Sequence, residues 1–112
     1  MAITGVLAQA TVTDLDAAEE WYTAFFDRPP DARPMDGLIE WHLGGDATGV
    51  QVWAEPDRAG RSSVVLQVDD LDAVATRLAE AGLTDAAPQP ATSSRVLPLE
   101  DPDGNRLVLT GT

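Results

Sequence analysis

The chain has no cysteine and no lysine, a single histidine, His42, and few aromatics: three Trp, two Phe and one Tyr among 112 residues. Without cysteine there are no disulfides, no thiolate metal ligands and no cysteine nucleophile, so only oxygen and imidazole ligands remain, and thiol usage does not fix the redox compartment. Without lysine, a lysine Schiff base is excluded. One histidine rules out a two-histidine-one-carboxylate metal site within one chain. No run approaches the roughly 20 apolar residues of a membrane span. The opening Met1 to Gly5 lacks the basic start and apolar core of a secretory signal. The expectation is a soluble, cytoplasmic protein.

Basic residues are scarce as well: seven, all arginine, stand against 19 acidic ones, for a formal charge of -12. Such a field repels phosphate backbones and anionic lipid, which argues against nucleic-acid and membrane partners and tolerates a cationic ligand. No G-x-S-x-G, P-loop or dinucleotide fingerprint is present. The acidic run Asp69-Asp70-Leu71-Asp72 lacks the alternating carboxylates and terminal Glu of a calcium loop. What is present is the length of one domain, with 44% hydrophobic residues to build its core.

It also has an internal repeat. Val12-Thr13-Asp14-Leu15-Asp16-Ala17 recurs as Val68-Asp69-Asp70-Leu71-Asp72-Ala73, half a chain later, and a repeat decides architecture before anything else does. An apolar or alternating run precedes each copy, Val6 to Val12 and Ser63 to Val68, as a strand requires. Each copy then opens a helix that Asp14 or Asp70 is suited to cap. Leu15, Ala18, Tyr22, Phe25 and Phe26, and later Leu71, Val74, Ala75 and Leu78, recur at helical spacing. Arg28-Pro29-Pro30 and Ala81-Gly82 end the helices. Polar, proline-bearing stretches at 29–36 and 84–94 suit short edge strands. Two further strands follow in each half, Leu38 to Leu43 with Val50 to Ala54, and Arg95 to Glu100 with Arg106 to Thr110, the last pair joined by Asp101-Pro102-Asp103-Gly104-Asn105, a strong turn signal. The reading is an α+β domain of two tandem βαβββ modules, about 1–56 and 57–112, with Glu55 to Arg61 as linker.

Over its full length the sequence resembles the vicinal oxygen chelate superfamily of glyoxalases, extradiol dioxygenases and bleomycin-resistance proteins. The resemblance rests on DLDAAEEWYTAFFDRP, VDDLDAVATRLAEAG and the closing LEDPDGNRLVL, in that order and each after a strand. It implies that each module's strands curl into a cup, that the cups pair around a cleft for ligand or metal, and that the protein is a homodimer, with clefts built within one chain or shared between two. It also implies metal positions in members that do metal chemistry: seven residues before the Asp of each DLD, here Leu7 and Ser63, three residues after DPDGN, here Val108, and in the first module Gln51 or Trp53. A Leu, a Ser, a Val and at best one Gln do not make a divalent-ion site. The expectation is therefore no metal and no cofactor, a divalent metal being the alternative.

Strand alternation names what lines the cup instead. Val6, Ala8, Ala10 and Val12 suit the helix side, turning Leu7, Gln9 and Thr11 to the cup; Val64, Leu66 and Val68 do the same for Ser63, Val65 and Gln67. Glu40 and His42 share a face opposite Ile39 and Trp41. They are the only candidates for acid-base catalysis, set against a plain solvent-facing reading. Trp53 divides evenly between pocket wall and core, while Trp21 suits packing or a dimer interface. Arg95 and Arg106 could meet a ligand carboxylate or phosphate, or simply offset nearby acids. The ligand-site candidates are thus Leu7, Gln9, Glu40, His42, Gln51, Trp53, Ser63, Gln67, Arg95 and Val108. The functional expectation is a metal-free cleft for a small organic molecule, for antibiotic or metabolite sequestration. The alternative is a metal-dependent lyase, isomerase or dioxygenase of the same superfamily.

Overall fold

Two aspartates start the two helices. Asp14 accepts hydrogen bonds from the backbone N–H groups of Asp16 and Ala17, and Asp70 from that of Ala73 at 3.1 Å. These bonds satisfy donors that the first helical turn leaves unpaired. The computed structural model describes all 112 residues. Its first half runs β1 (Leu7–Val12), α1 (Leu15–Phe26), β2 (Ala32–Met35), β3 (Leu38–His42), β4 (Gly49–Ala54). Its second runs β5 (Ser63–Gln67), α2 (Leu71–Glu80), β6 (Gln89–Pro90), β7 (Arg95–Glu100), β8 (Arg106–Gly111), and a 3-10 turn at Pro56–Arg58 joins the halves. The β-α-β-β-β order therefore occurs twice, in the strands and helices the repeat predicts. The boundaries differ by a residue or so: β1 begins at Leu7, leaving Val6 exposed, and α1 stops at Asp27, whose φ of 59° turns the chain left-handed.

Each half is a four-stranded mixed sheet, ordered β1-β4-β3-β2 and β5-β8-β7-β6. The first strand of each module runs parallel to the last, and the remaining neighbours are antiparallel. One face of each sheet is sealed by its helix. Ala10, Val12, Ile39, Trp41, Val50 and Val52 pack under Ala18, Tyr22 and Phe25 of α1, while Val64, Leu97, Leu99, Leu107 and Leu109 pack under Leu71, Ala75 and Leu78 of α2. Trp41 is fully buried, its ring tilted against those of Phe26 and Tyr22, and its indole N–H donates to the Arg28 carbonyl at 2.9 Å. Both sets belong to one continuous core. No helix is long and apolar enough to cross a membrane.

The DPDGN turn between β7 and β8 locks the halves together. Asp101 and Asn105 are buried. Asp101 accepts from the Tyr22 hydroxyl and the Asn105 side-chain amide, both at 2.7 Å, while Asn105 also donates to the Thr11 carbonyl at 2.8 Å and accepts from the Ser62 N–H at 2.8 Å. No buried side-chain polar atom lacks a partner, which is the condition under which a buried polar cluster specifies one arrangement and does not weaken it. The linker passes so close to this turn that a side chain at Gly60, held at φ 83°, would overlap the Asp103 carbonyl oxygen. On the convex side, Arg77 of α2 donates to the Ala24 and Phe25 carbonyls at 2.9 and 2.6 Å, satisfying acceptors at the end of α1.

Candidate functional site

With one face of each sheet covered, the residues of opposite parity point to the other. In the first module they lie in rows set by register: Gln9, Gln51 and Glu40 are cross-strand neighbours, as are Thr11, Trp53 and Leu38. The first row is joined by side-chain hydrogen bonds. Gln9 Nε2 donates to Gln51 Oε1 at 3.1 Å, Gln51 Nε2 donates to Glu40 Oε2 at 2.6 Å, and His42 Nε2 lies 3.0 Å from Glu40 Oε1. Four side chains from three strands thus form one polar line across the cup floor. Glu40 does not simply point into solvent: it is 8% exposed, and its two oxygens are each engaged. Beside the line, Trp53 is half-buried, with its indole N–H donating to Glu55 at 3.0 Å.

The electrostatics follow from those partners. The hydrogen bond from Gln51, then that from His42, hold the Glu40 carboxyl below its ordinary value, outweighing the opposing effect of burial. Glu40 is therefore a fixed anion at neutral pH. A carboxylate held this way is a weak base, better suited to receive a donor or a positive charge than to abstract a proton.

The second module offers a different surface. Val65, Val108 and Pro98 form a cross-strand row on the corresponding face, with Val65 65% exposed. Ser63 and Arg106 pair at one end of that face, Gln67 and Thr110 at the other. The cup is thus polar and aromatic over the first sheet, whereas over the second a short apolar row is flanked by Ser63, Gln67, Arg106 and Thr110. Leu7, at the rim of the first, is 37% exposed.

Register also decides between Gln51 and Trp53 as the first-module counterpart of Val108. Val65 pairs with Val108 and Gln9 with Gln51, and Gln9 stands to the first repeat as Val65 does to the second, so the counterpart is Gln51. The four positions that the resemblance marks for metal ligands are then Leu7, Gln51, Ser63 and Val108. Together they provide one amide and one hydroxyl, and the amide is already bonded to Gln9 and Glu40. This donor set does not fit a divalent ion, which requires several oxygen or imidazole ligands. No group of three or more His, Asp or Glu side chains is placed to hold a metal.

One candidate moves out of the site. Arg95 shares the parity of Leu97 and Leu99, which pack under α2, and it makes a two-pronged ion pair with Asp72 at 2.9 Å in both arms. The Asp72 hydrogen bonds hold that guanidinium protonated more firmly still. It is a strut between β7 and α2, on the wrong face to meet a ligand in the cup. Trp21 stacks on Phe25 at 5.3 Å, half-buried on α1, in keeping with a packing role. Two residues that sequence reasoning assigned only to the linker, Arg58 and Arg61, line a cavity with Gln9, Thr11 and Ser62.

A family model described as a glyoxalase-like domain matches residues 6–110. No curated protein matches the sequence. Among solved structures, the chain is similar to a glyoxalase/bleomycin resistance protein from Catenulispora acidiphila, at 28% identity and a TM-score of 0.85 over 96% of this chain and 97% of that one. It is also similar to TnmS3, an antibiotic binding protein from a Streptomyces species, at 28% identity and a TM-score of 0.82 over 97% and 96% of the two chains. A bleomycin-binding protein from Streptomyces verticillus, complexed with copper(II)-bleomycin, shares the fold at 18% identity and a TM-score of 0.81, over 100% and 98%.

Proposed function

Because the chain belongs to the glyoxalase-like domain family of the vicinal oxygen chelate superfamily, we propose that it binds a small organic molecule in its cup without a metal, sequestering an antibiotic or metabolite. The observation that carries this reading is the bonded line Gln9–Gln51–Glu40–His42 beside Trp53. A pocket with an aromatic wall and a few oriented polar groups is the ordinary form of a small-molecule site. The ionised Glu40 suits a ligand with a hydrogen-bond donor or cationic group, and the Trp53 face a planar or cationic one. That TnmS3, at 28% identity, is an antibiotic binding protein supports the same class of ligand.

A homodimer belongs to the same proposal. In one chain the cup is open, with Val65 exposed on the second sheet, and a second copy laid over that sheet would cover it and close the cleft.

A thermal-shift screen of chelator-treated protein against antibiotics, planar cations and divalent metals tests the reading, since any ligand of the native state raises the melting temperature. The expected result is stabilisation by an organic compound, reduced in Trp53→Ala. Stoichiometric Zn, Ni, Mn or Fe in protein purified without chelator would overturn it in favour of the metal-dependent enzyme.

A further inference from the structure

We infer that the junction between the two modules, on the cup side, is a subsite for an anionic group, a carboxylate or phosphate, of the ligand; this rests on the small-molecule reading above and names one end of that molecule. The chain has seven arginines against 19 acidic residues, so pairing should be easy. Three do pair with carboxylates, Arg28 with Asp31, Arg33 with Glu19 and Arg95 with Asp72, and Arg77 binds the carbonyls of α1.

Three are left without an ion pair or side-chain hydrogen bond, and two of them meet at one cavity. Arg58 and Arg61 line an open cavity of about 430 Å³ together with Gln9, Thr11 and Ser62, and no carboxylate lines it. Arg106 adjoins it, its backbone N–H donating to the Ser62 carbonyl at 2.9 Å and its position on β8 sharing the parity of Val108, on the cup face. Glu100 stands opposite Arg106 in register, whereas Arg58 and Arg61 border a concavity with no carboxylate in its lining.

The cavity's polar groups are set to donate. Ser62 Oγ already accepts from the Thr11 N–H at 3.1 Å, which leaves its own hydrogen for a ligand oxygen. Guanidinium groups offer planar forks that match carboxylate and phosphate oxygens. Gln9 is both a wall of this cavity and the first member of the line that ends at Glu40 and His42. Two strand spacings separate Gln9 from Glu40, roughly 10 Å. The fitting ligand therefore carries an anionic group about that far from a hydrogen-bond donor or cation, a polarity opposite to the one that the net charge alone suggests.

The test is an amide NMR titration of the full chain with sodium phosphate, and separately sodium acetate, at ionic strength held constant with sodium chloride. The expected result is saturable shifts at Gln9, Thr11 and Ser62 with at least one of the two anions, weakened ten-fold or more in the Arg58→Gln/Arg61→Gln double variant. Both arginines are exposed, so that variant should retain the wild-type spectrum elsewhere. Shifts that fail to saturate, or that persist in the double variant, would overturn the inference. So would loss of a dimer in that variant, which would assign the arginines to a partner's carboxylates. The probe needs no organic ligand, so the two readings fail separately. Organic compounds that bind wild type and double variant alike sink the subsite and leave the cup; anion binding with no organic binder does the reverse.

Discussion

The hydroxyl of Tyr22, on the first helix, donates to the carboxylate of Asp101 at 2.7 Å across 79 residues of sequence. Both groups are buried, and burial together with the adjacent carboxylate pushes the Tyr22 hydroxyl far above the ordinary phenol range, so it remains a donor throughout the accessible pH range. This bond joins the helix of one module to the turn of the other. Tyr22→Phe leaves Asp101 short of a donor and is expected to lower stability by about 1 to 3 kcal/mol. Denaturant unfolding monitored by fluorescence and circular dichroism should show one coincident transition, since the halves share a core. Two separate transitions would show that the clamp does not couple them.

Protonation of Glu40 gives a pH signature. Its folded-state value lies below that of an ordinary carboxylate because Gln51 and His42 bond the charged form. The stabilisation is therefore complete above the unfolded value of about 4.3 and is lost as the pH falls through the depressed folded value. Relative to Glu40→Gln, the wild type should keep its advantage above about pH 5 and lose it in acid below about pH 4. Urea midpoints of the two proteins across pH 3 to 7 check this. An advantage that persists undiminished at pH 3 would contradict the assigned hydrogen bonds.

The two tryptophans on neighbouring strands should part company. Trp41 is fully buried under α1, and Trp41→Ala is expected to cost about 3 to 5 kcal/mol. Trp53, half-buried on the opposite face, should cost much less on truncation yet weaken ligand binding. Guanidinium midpoints and ligand-induced melting shifts for both variants separate the roles, and equal loss of stability would make Trp53 part of the core.

Much of this was readable from residue order. The repeated DLDA placed both helices and their caps, and parity on β1, β3 and β4 put Gln9, Glu40, Gln51 and Trp53 on one face, because burial of the other face leaves an alternating strand no choice. Parity also carried a signal about Arg95, in step with the apolar Leu97 and Leu99, that was outweighed by the chemistry of its side chain. Pairing across strands was not readable: that Gln51 lies between Gln9 and Glu40 follows from register, which the loop lengths do not specify. Nor was the clamp. DPDGN signals a turn in any protein, and only the fold brings Asn105 to the Thr11 carbonyl 94 residues away. The arginine cavity was hidden for the same reason, since Arg58 and Arg61 stand in a linker with no periodicity to orient them.

The exposed Val65 on the second sheet predicts assembly. Wild-type protein should sediment as a dimer, and Val65→Asp, which places a charge on a residue 65% exposed, should shift it to monomer without unfolding it, because like charges on a desolvated interface are costly. Sedimentation velocity of both proteins checks this. A monomeric wild type at high concentration would mean that each chain binds with its own cup uncovered.

The most direct trial of metal-free binding is isothermal titration of the strongest stabilising compound into the protein before and after exhaustive chelation. Metal-free binding gives the same Kd in both, with Trp53→Ala at least ten-fold weaker. Binding that vanishes on chelation and returns with one equivalent of a divalent ion would contradict it.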